Sequence, residues 1–207
     1  MADLRAMLEQ VTTANVSDVL GSLGVMHPTI QTVVPGSRLV GRAFTVKAYP
    51  GSIITVHKAL VEASPGEVLV VDGEGDTGAG ALLGEIMALE CQTRGFAGAV
   101  IDGAVRDLDG LVEQGFPVFA RGITPRVGTN RRVGQTQVPV SCGGGAVHPG
   151  DLILGDDNGV VAIPQDREEG LVAALEALLA KEKALVQGIR EGRYLADTLG
   201  FRDSFGA

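Results

Sequence analysis

A basic and an acidic residue, Arg106 and Asp107, stand side by side just past the strand-like run AGAVIDG. At the end of a buried strand such a pair can do chemistry, because a guanidinium can hold an anion and a carboxylate can hold a hard cation. The same dipeptide recurs at Arg202-Asp203 in the polar tail, so the two residue types alone are equally compatible with a solvated surface pair. The surroundings of residues 106 and 107 must therefore distinguish a functional pair from a surface pair.

A glycine-rich stretch upstream, VLVVDGEGDTGAG, matches G-x-G-x-x-G from Gly73 to Gly78. It follows a strand-like run and precedes a helix predicted over residues 84–94, which fits most of a dinucleotide-binding fingerprint. Glu74 and Asp76 lie inside the loop, however, where their negative charges would repel a pyrophosphate. The predicted helix also begins several residues further along the chain than the fingerprint requires. The pattern therefore favours a smaller anion, with a flexible turn that binds no ligand as the alternative.

The start of that helix offers an anion site. A helix beginning near Gly84 leaves the backbone N–H groups of Glu85, Ile86 and Met87 without partners inside the helix. These groups and the positive end of the helix dipole can hold a carboxylate. Arg106, at the end of the neighbouring predicted strand, can grip the same ligand from the other side.

A divalent metal is the natural partner of Asp107. The three histidines of the chain are not paired at ligand spacing, which disfavours zinc. A single carboxylate among water molecules suits Mg²⁺ or Mn²⁺, which keep much of their hydration shell. Four further acidic residues are either outer acceptors for such a metal site or solvated loop carboxylates: Asp72, Glu74, Asp76 and Asp102.

The pattern of apolar runs predicts an α/β fold with a mixed sheet in its core, flanking helices and a C-terminal helical extension. Helices are predicted over residues 4–10, 14–23 (capped by Thr13 and ended by Gly24), 53–63, 84–94, 107–114 and 166–187. Strands are predicted over residues 38–48, 67–72, 95–102 and 116–120, followed by a β-rich region from 132 to 163 with strands over 132–141, 146–148, 151–154 and 159–163. With no repeats and no linker, this is a single compact domain.

Composition limits the kinds of partner. The 207 residues carry a net charge of −8, which argues against nucleic acid and anionic membranes as partners. The N-terminal sequence lacks a signal-peptide pattern, and no apolar run is long enough to span a membrane. Cys91 and Cys142 lack metal or redox spacing and are predicted to be packed, reduced thiols. We expect a soluble, cytoplasmic protein that acts on a small molecule.

Four segments together resemble the family of RraA-like proteins and 4-hydroxy-4-methyl-2-oxoglutarate aldolases: TTANVSDVLGSLG, GEIMA, GAVRD and GDLILGDDNGVVAIP. The similarity extends over about residues 12–164. It implies a fold like that of a swivelling phosphohistidine domain, with an RraA-like α/β domain over 1–164 and a helical extension over 165–207, packed on the same domain or on a neighbouring subunit. The extension resembles the aldolase branch of the family. The resemblance also implies a homotrimer or a dimer of trimers.

The resemblance implies a metal-dependent class II aldolase (a lyase) that releases pyruvate from 2-oxo acids and also decarboxylates oxaloacetate. By the family pattern, the backbone of residues 84–87 and Arg106 bind substrate, and Asp107 binds Mg²⁺ or Mn²⁺. Glu85, 21 residues before Arg106, matches the acid of aldolase members, and we expect it to order a water molecule that acts as base. Glu182 matches a residue contributed by a neighbouring subunit. Which 2-oxo acid is the physiological substrate stays open.

The same resemblance carries a non-enzymatic alternative. Inhibitor-type members bind ribonuclease E and lack an acid at the position of Glu85. The acidic surface of this chain is compatible with such a regulator. Retention of Arg106, Asp107, Glu85 and the extension favours the aldolase.

Overall fold

The computed structural model describes residues 2–205, which contain both α-helices and β-strands. The helices are α1 (Ala2–Leu8), α2 (Thr13–Leu20), α3 (Ile54–Glu62), α4 (Glu85–Thr93), α5 (Leu108–Gln114), α6 (Leu171–Arg190) and α7 (Leu195–Thr198). The strands are β1 (Gln31–Thr32), β2 (Leu39–Lys47), β3 (Glu67–Asp72), β4 (Ala81–Leu83), β5 (Gly98–Val105), β6 (Val118–Ile123), β7 (Gln135–Thr136), β8 (Val140–Cys142), β9 (Gly145–Val147), β10 (Leu152–Asp156) and β11 (Gly159–Ile163). The element order confirms the α/β class.

The main sheet is mixed, with the strand order β1-β6-β5-β3-β2-β10-β11. Strands β6, β5, β3 and β2 run parallel, whereas β1, β10 and β11 pair antiparallel at the two ends of that order. Short β4 pairs parallel with β5, and β7 pairs with β2. All eight residues of β5 are buried, which is typical of a central parallel strand covered on both faces.

Three apolar clusters hold layers against this sheet. Helices α3, α4 and α5 cover one face, and the β8–β9 hairpin covers the other. The third cluster joins α1, α2 and α6 to β2, β10 and β11, with Leu171 and Leu175 of α6 buried beside Leu8 and Val16. The C-terminal helix therefore packs on its own chain. Residues 206 and 207 of the predicted extension lie outside the described part of the chain.

Two acidic residues flanked by two basic residues form a row across four parallel strands: Lys47 on β2, Asp72 on β3, Asp102 on β5 and Arg121 on β6. Asp72 accepts a hydrogen bond from Lys47 Nζ at 2.8 Å, and buried Asp102 accepts one from Arg121 Nε. Each carboxylate also accepts a backbone N–H from the β8–β9 hairpin, at 3.1 and 2.8 Å. The two acids thus fasten the hairpin over the sheet.

Both cysteines are buried free thiols, as the sequence predicted. Burial raises the pKa of Cys91 to about 12, and it raises the pKa of Cys142 well above its usual value. Both thiols therefore stay protonated and unreactive at neutral pH. Within residues 2–205, the helices are too short or too polar to cross a membrane.

The structure corrects the predicted start and end of α2. Thr12, not Thr13, caps the helix, through a reciprocal pair of hydrogen bonds with Asn15. Thr13 instead lies in the first turn and bonds Asp156 through both its N–H and its hydroxyl. The helix ends at Gly21, whose backbone is left-handed, and not at Gly24. The contact of Thr13 with Asp156 thus leaves Thr12 as the residue that caps the helix.

Two predicted strands were wrong in extent, and the short strand β4 was not predicted. Strand β5 does not end at Asp102 but continues to Val105, because β4 pairs alongside its last residues. That short strand was missed inside the glycine-rich region. The strand predicted over 132–141 is reduced to β7 and β8, because residues between them form bends and turns. The glycine-rich turn consequently leads into a strand and not directly into a helix, which removes the geometry of a dinucleotide site.

Candidate active site

Arg106 and Asp107 form the junction between β5 and α5. The Arg106 N–H donates to Leu83 O at 3.0 Å, which ties the junction to β4. Asp107 has a left-handed backbone, with φ 60° and ψ 49°, a conformation that costs a non-glycine residue energy and is concentrated at functional sites. Its side chain does not cap α5; instead its Oδ2 lies 3.1 Å from Arg106 Nε. The tight turn holds the two charged groups together at the surface of one pocket.

Gly84 makes room for this pair. A β-carbon at residue 84 would lie 2.6 Å from Asp107 Oδ2 and 3.1 Å from Arg106 Cγ. The backbone of Gly84 is extended, with φ −137° and ψ −176°, so any residue could adopt it. Glycine is therefore needed here for space and not for conformation.

The start of α4 is open, as the sequence predicted. No side chain caps the helix, and the first hydrogen bond inside it runs from Ala88 N to Gly84 O. The N–H groups of Glu85, Ile86 and Met87 therefore precede the hydrogen-bonded turns. Together with the helix dipole they can accept an anion beside the Arg106 guanidinium.

A small open pocket of about 70 Å³ joins these parts. It is lined by Ile53, Ala81, Leu83, Gly84, Ile86, Met87, Arg106, Asp107, Val127 and Gly128. The pocket brings together five of the predicted site residues. Its wall is otherwise apolar, so Arg106, Asp107 and the helix amides supply the polar contacts.

Five lining residues were missed by sequence reasoning: Ala81 and Leu83 on β4, and the loop residues Ile53, Val127 and Gly128. The loops are far apart in the chain and are joined by Ile53 N donating to Thr129 O at 2.7 Å. A β-carbon at Gly128 would lie 2.5 Å from Ala81 O, so the loop passes very close to β4. A glycine flanked by valine and threonine gave no signal of this approach in the sequence.

Glu85 is half-buried and does not line the pocket directly. Its side chain turns towards α5, where it lies against Gly110. Its backbone carbonyl accepts a hydrogen bond from Gln114 Nε2 at 3.1 Å. The carboxylate is thus placed beside the helix that begins at Asp107.

Glu182 lies apart from these residues within one chain. It is on α6, and both of its carboxylate oxygens are 3.2 Å from Asn15 Nδ2 on α2. It does not line the pocket. Its contribution to the site of a neighbouring subunit stays a prediction.

The donor set suits a hydrated hard cation. Among the described residues, no group of three or more His, Cys, Asp or Glu side chains could hold a metal by itself. Asp107 supplies one carboxylate at an open pocket, which fits Mg²⁺ or Mn²⁺ with water and substrate as the remaining ligands. The proposed outer acceptors have other partners: Asp76 accepts the amides of Gly78 and Ala79, and Asp72 and Asp102 hold the hairpin.

The fold is that of an RraA-like α/β protein. The RraA-like family, Aldolase/RraA, matches residues 13–162, and the chain belongs to this family. A Halalkalibacterium halodurans protein named "Putative 4-hydroxy-4-methyl-2-oxoglutarate aldolase" is 36% identical over 189 residues, which cover 91% of this chain and 90% of that protein.

Two solved structures are also similar. An uncharacterized protein from Pseudomonas syringae pv. tomato superposes with a TM-score of 0.86 at 32% identity, covering 95% of this chain and 92% of that one. The RNA-processing inhibitor RraA from Thermus thermophilus gives a TM-score of 0.68 at 31% identity, covering 74% of this chain and 93% of that one. The family thus includes both aldolases and regulators.

Proposed function

We propose that this chain is a divalent-metal-dependent class II aldolase that cleaves 4-hydroxy-4-methyl-2-oxoglutarate-type 2-oxo acids to pyruvate, and that it also decarboxylates oxaloacetate. The observation that carries the proposal is the meeting of Arg106, Asp107 and the open start of α4 across Gly84 in one pocket. One guanidinium, one carboxylate at an open pocket and one set of helix-start amides are the groups that a metal-chelated 2-oxo acid requires.

Each group has a separate task. The amides of Glu85, Ile86 and Met87 hold the substrate carboxylate, and Asp107 holds Mg²⁺ or Mn²⁺. When bound, the metal polarises the 2-oxo group of the substrate. Arg106 then donates to the oxygen that gains negative charge as the C–C bond breaks and a pyruvate enolate forms. Glu85 orders the water molecule that takes the proton of the 4-hydroxyl group.

Pyruvate release tests the proposal directly. Purified protein is given oxaloacetate or 4-hydroxy-4-methyl-2-oxoglutarate, with and without EDTA, and pyruvate is followed by a coupled assay. We expect turnover that EDTA abolishes and that Mg²⁺ or Mn²⁺ restores. Absence of pyruvate from both substrates at saturating metal, or turnover indifferent to EDTA, would contradict the assignment.

The second candidate is a regulator without catalysis, favoured by the similarity to the RNA-processing inhibitor RraA. Under this alternative the chain binds ribonuclease E or another protein partner and lowers its activity. The test is a ribonuclease E cleavage assay with added chain. Inhibition together with no pyruvate release supports the regulator, whereas pyruvate release without inhibition supports the aldolase.

An exposed apolar rim beside the pocket supports an oligomer. Six large apolar side chains that face solvent lie on α4, on α5, at the end of β6 and in the segment after it: Ile86, Leu89, Leu108, Val112, Ile123 and Val127. An apolar surface of this kind is typical of a protein interface. With the family resemblance, it supports a homotrimer or dimer of trimers whose sites lie near subunit boundaries. Sedimentation analysis that finds a fully active monomer would overturn this.

A further inference from the structure

A glycine stands in the middle of the short helix α5. Gly110 has an ordinary helical backbone, outside the left-handed region that favours glycine. Glycine is also a poorer helix former than alanine, since it leaves more backbone freedom to be lost on folding. Neither backbone conformation nor helix propensity therefore accounts for Gly110.

The space beside Gly110 is filled by Glu85. A β-carbon at residue 110 would lie 1.8 Å from Glu85 Oε2, 2.9 Å from its Cδ and 3.0 Å from its Cβ. The whole side chain of Glu85 therefore lies flat against the backbone of α5. Any residue other than glycine at position 110 would displace the carboxylate.

Steric contact is the main constraint on this carboxylate. Within the part of the chain that the structure describes, no hydrogen bond or ion pair holds the Glu85 carboxylate. Its backbone is fixed by Gln114, one helical turn after Gly110. Asp107 immediately precedes the first residue of the same helix. Helix α5 thus sets the position of Glu85 relative to the proposed metal ligand.

We propose that Gly110 is a positioning residue for the Glu85 carboxylate: it lets that group lie against α5 at the distance from Asp107 that cleavage of the 4-hydroxy-2-oxo acid needs. The inference rests on the proposed aldolase function for its kinetic consequence. The steric relation between residues 85 and 110 holds independently of that function.

The kinetic test uses Gly110→Ala. We expect kcat for aldol cleavage to fall about 10–10²-fold, the scale expected for misplacing a catalytic group by about 1 Å. KM should change little, because the amides of α4 and Arg106 remain in place, and oxaloacetate decarboxylation should fall less. Shortening the acid in the Glu85→Asp/Gly110→Ala double variant should restore part of the lost kcat. Glu113→Ala, an exposed change on the same helix, is the control.

Thermal unfolding supplies a readout without turnover. In a Glu85→Gly background all three contacts, at 1.8, 2.9 and 3.0 Å, are gone, so Gly110→Ala should raise Tm by about 2 °C through better helix propensity. In the wild-type background the same change should lower Tm. If the wild-type protein cleaves no 2-oxo acid, the aldolase proposal fails and this difference in sign alone decides the role of Gly110. An equal rise of Tm in both backgrounds, or unchanged cleavage by Gly110→Ala, would overturn the inference.

Discussion

A β-carbon at Gly84 would lie 2.6 Å from Asp107 Oδ2, a distance that real β-carbons do not reach. Gly84, which precedes α4, and the carboxylate of Asp107, which precedes α5, are thus too close together for a side chain at residue 84. The anion-binding helix start and the proposed metal ligand therefore face the same few ångströms of space.

Gly84→Ala should abolish most turnover without unfolding the protein. The added methyl group must push Asp107 and Arg106 away from the pocket, and a misplacement of about 1 Å can cost about 10²-fold in rate. The extended backbone at residue 84 accepts alanine, so circular dichroism should be unchanged. Gly78→Ala is the matched control, since a β-carbon there meets only Asp76 Oδ1 at 3.9 Å. Full activity of Gly84→Ala would show that this packing is not needed.

Asp107→Asn should abolish metal-dependent turnover. Asparagine keeps the size of the side chain and tolerates the left-handed backbone, but it lacks the charge that holds a hard cation. The measurement is kcat as a function of Mg²⁺ concentration, with Asp109→Asn, an exposed acid on the same helix, as the control. Wild-type activity at low Mg²⁺ in the Asp107 variant would exclude it as the ligand.

Arg106→Lys should lower kcat by about 10²–10³-fold, the cost of removing one donor to a developing negative charge. A lysine ammonium keeps the charge but cannot offer the planar, two-pronged donor of a guanidinium. The assay is steady-state pyruvate release from oxaloacetate at saturating metal. An unchanged kcat/KM would place Arg106 outside the chemistry.

Asp156 should make stability depend on pH. Its burial alone would raise the pKa of the carboxyl group, but hydrogen bonds from the Thr13 hydroxyl and N–H and from Asn158 outweigh it and lower the pKa below the usual value of 3.8. A lowered pKa in the folded state stabilises the protein above the unfolded pKa, and this contribution is lost as pH falls through the folded pKa.

The check on Asp156 is a comparison of Asp156→Asn with wild type by thermal unfolding at pH 7 and near pH 3. We expect a loss of about 1–3 kcal/mol at pH 7, the cost of leaving buried Thr13 donors poorly paired. The difference from wild type should shrink near pH 3. Asp166→Asn, an exposed acid, serves as the control. A difference independent of pH would contradict the assigned role of the carboxylate charge.

Local sequence signals predicted five residues that the structure brings together in one pocket. The run of apolar residues before Arg106 predicted a buried strand, and Gly84 followed by Glu85 predicted a helix start, so Arg106, Asp107 and the α4 amides could be assigned to one place. These features are local, because strand burial and helix starts follow from short stretches of sequence.

The remaining parts depend on contacts between distant segments. Strand β4 is only three residues long and exists because it pairs with β5. Ile53 and Val127 reach the pocket through loop pairing that no periodicity encodes. Gly110 has no unusual φ, and the need for glycine at this position is seen only from the position of the Glu85 side chain. Tertiary contacts, not local propensities, decide such positions.

Glu85→Gln should lower the rate of aldol cleavage more than the rate of oxaloacetate decarboxylation. Cleavage must remove the proton of the 4-hydroxyl group, and assistance by a base is worth about 10²–10⁴-fold in rate. Decarboxylation expels CO₂ directly and depends on the metal and Arg106. Glutamine keeps the length of the side chain against Gly110 and leaves the amides of α4 in place, so KM should change little.

The rival explanation is that Glu85 orders the water molecule that protonates the enolate, a step that both reactions share. The two explanations separate when kcat for both substrates is measured on the same Glu85→Gln preparation at saturating Mg²⁺. A selective fall in cleavage supports the base role, whereas an equal fall in both reactions favours the shared protonation. No fall in either would reduce Glu85 to an acid that suits the positive end of the α4 dipole. Because the carboxylate rests on Gly110 and not on a hydrogen-bond donor, its charge remains available to a water molecule, as both the base role and the protonation role require.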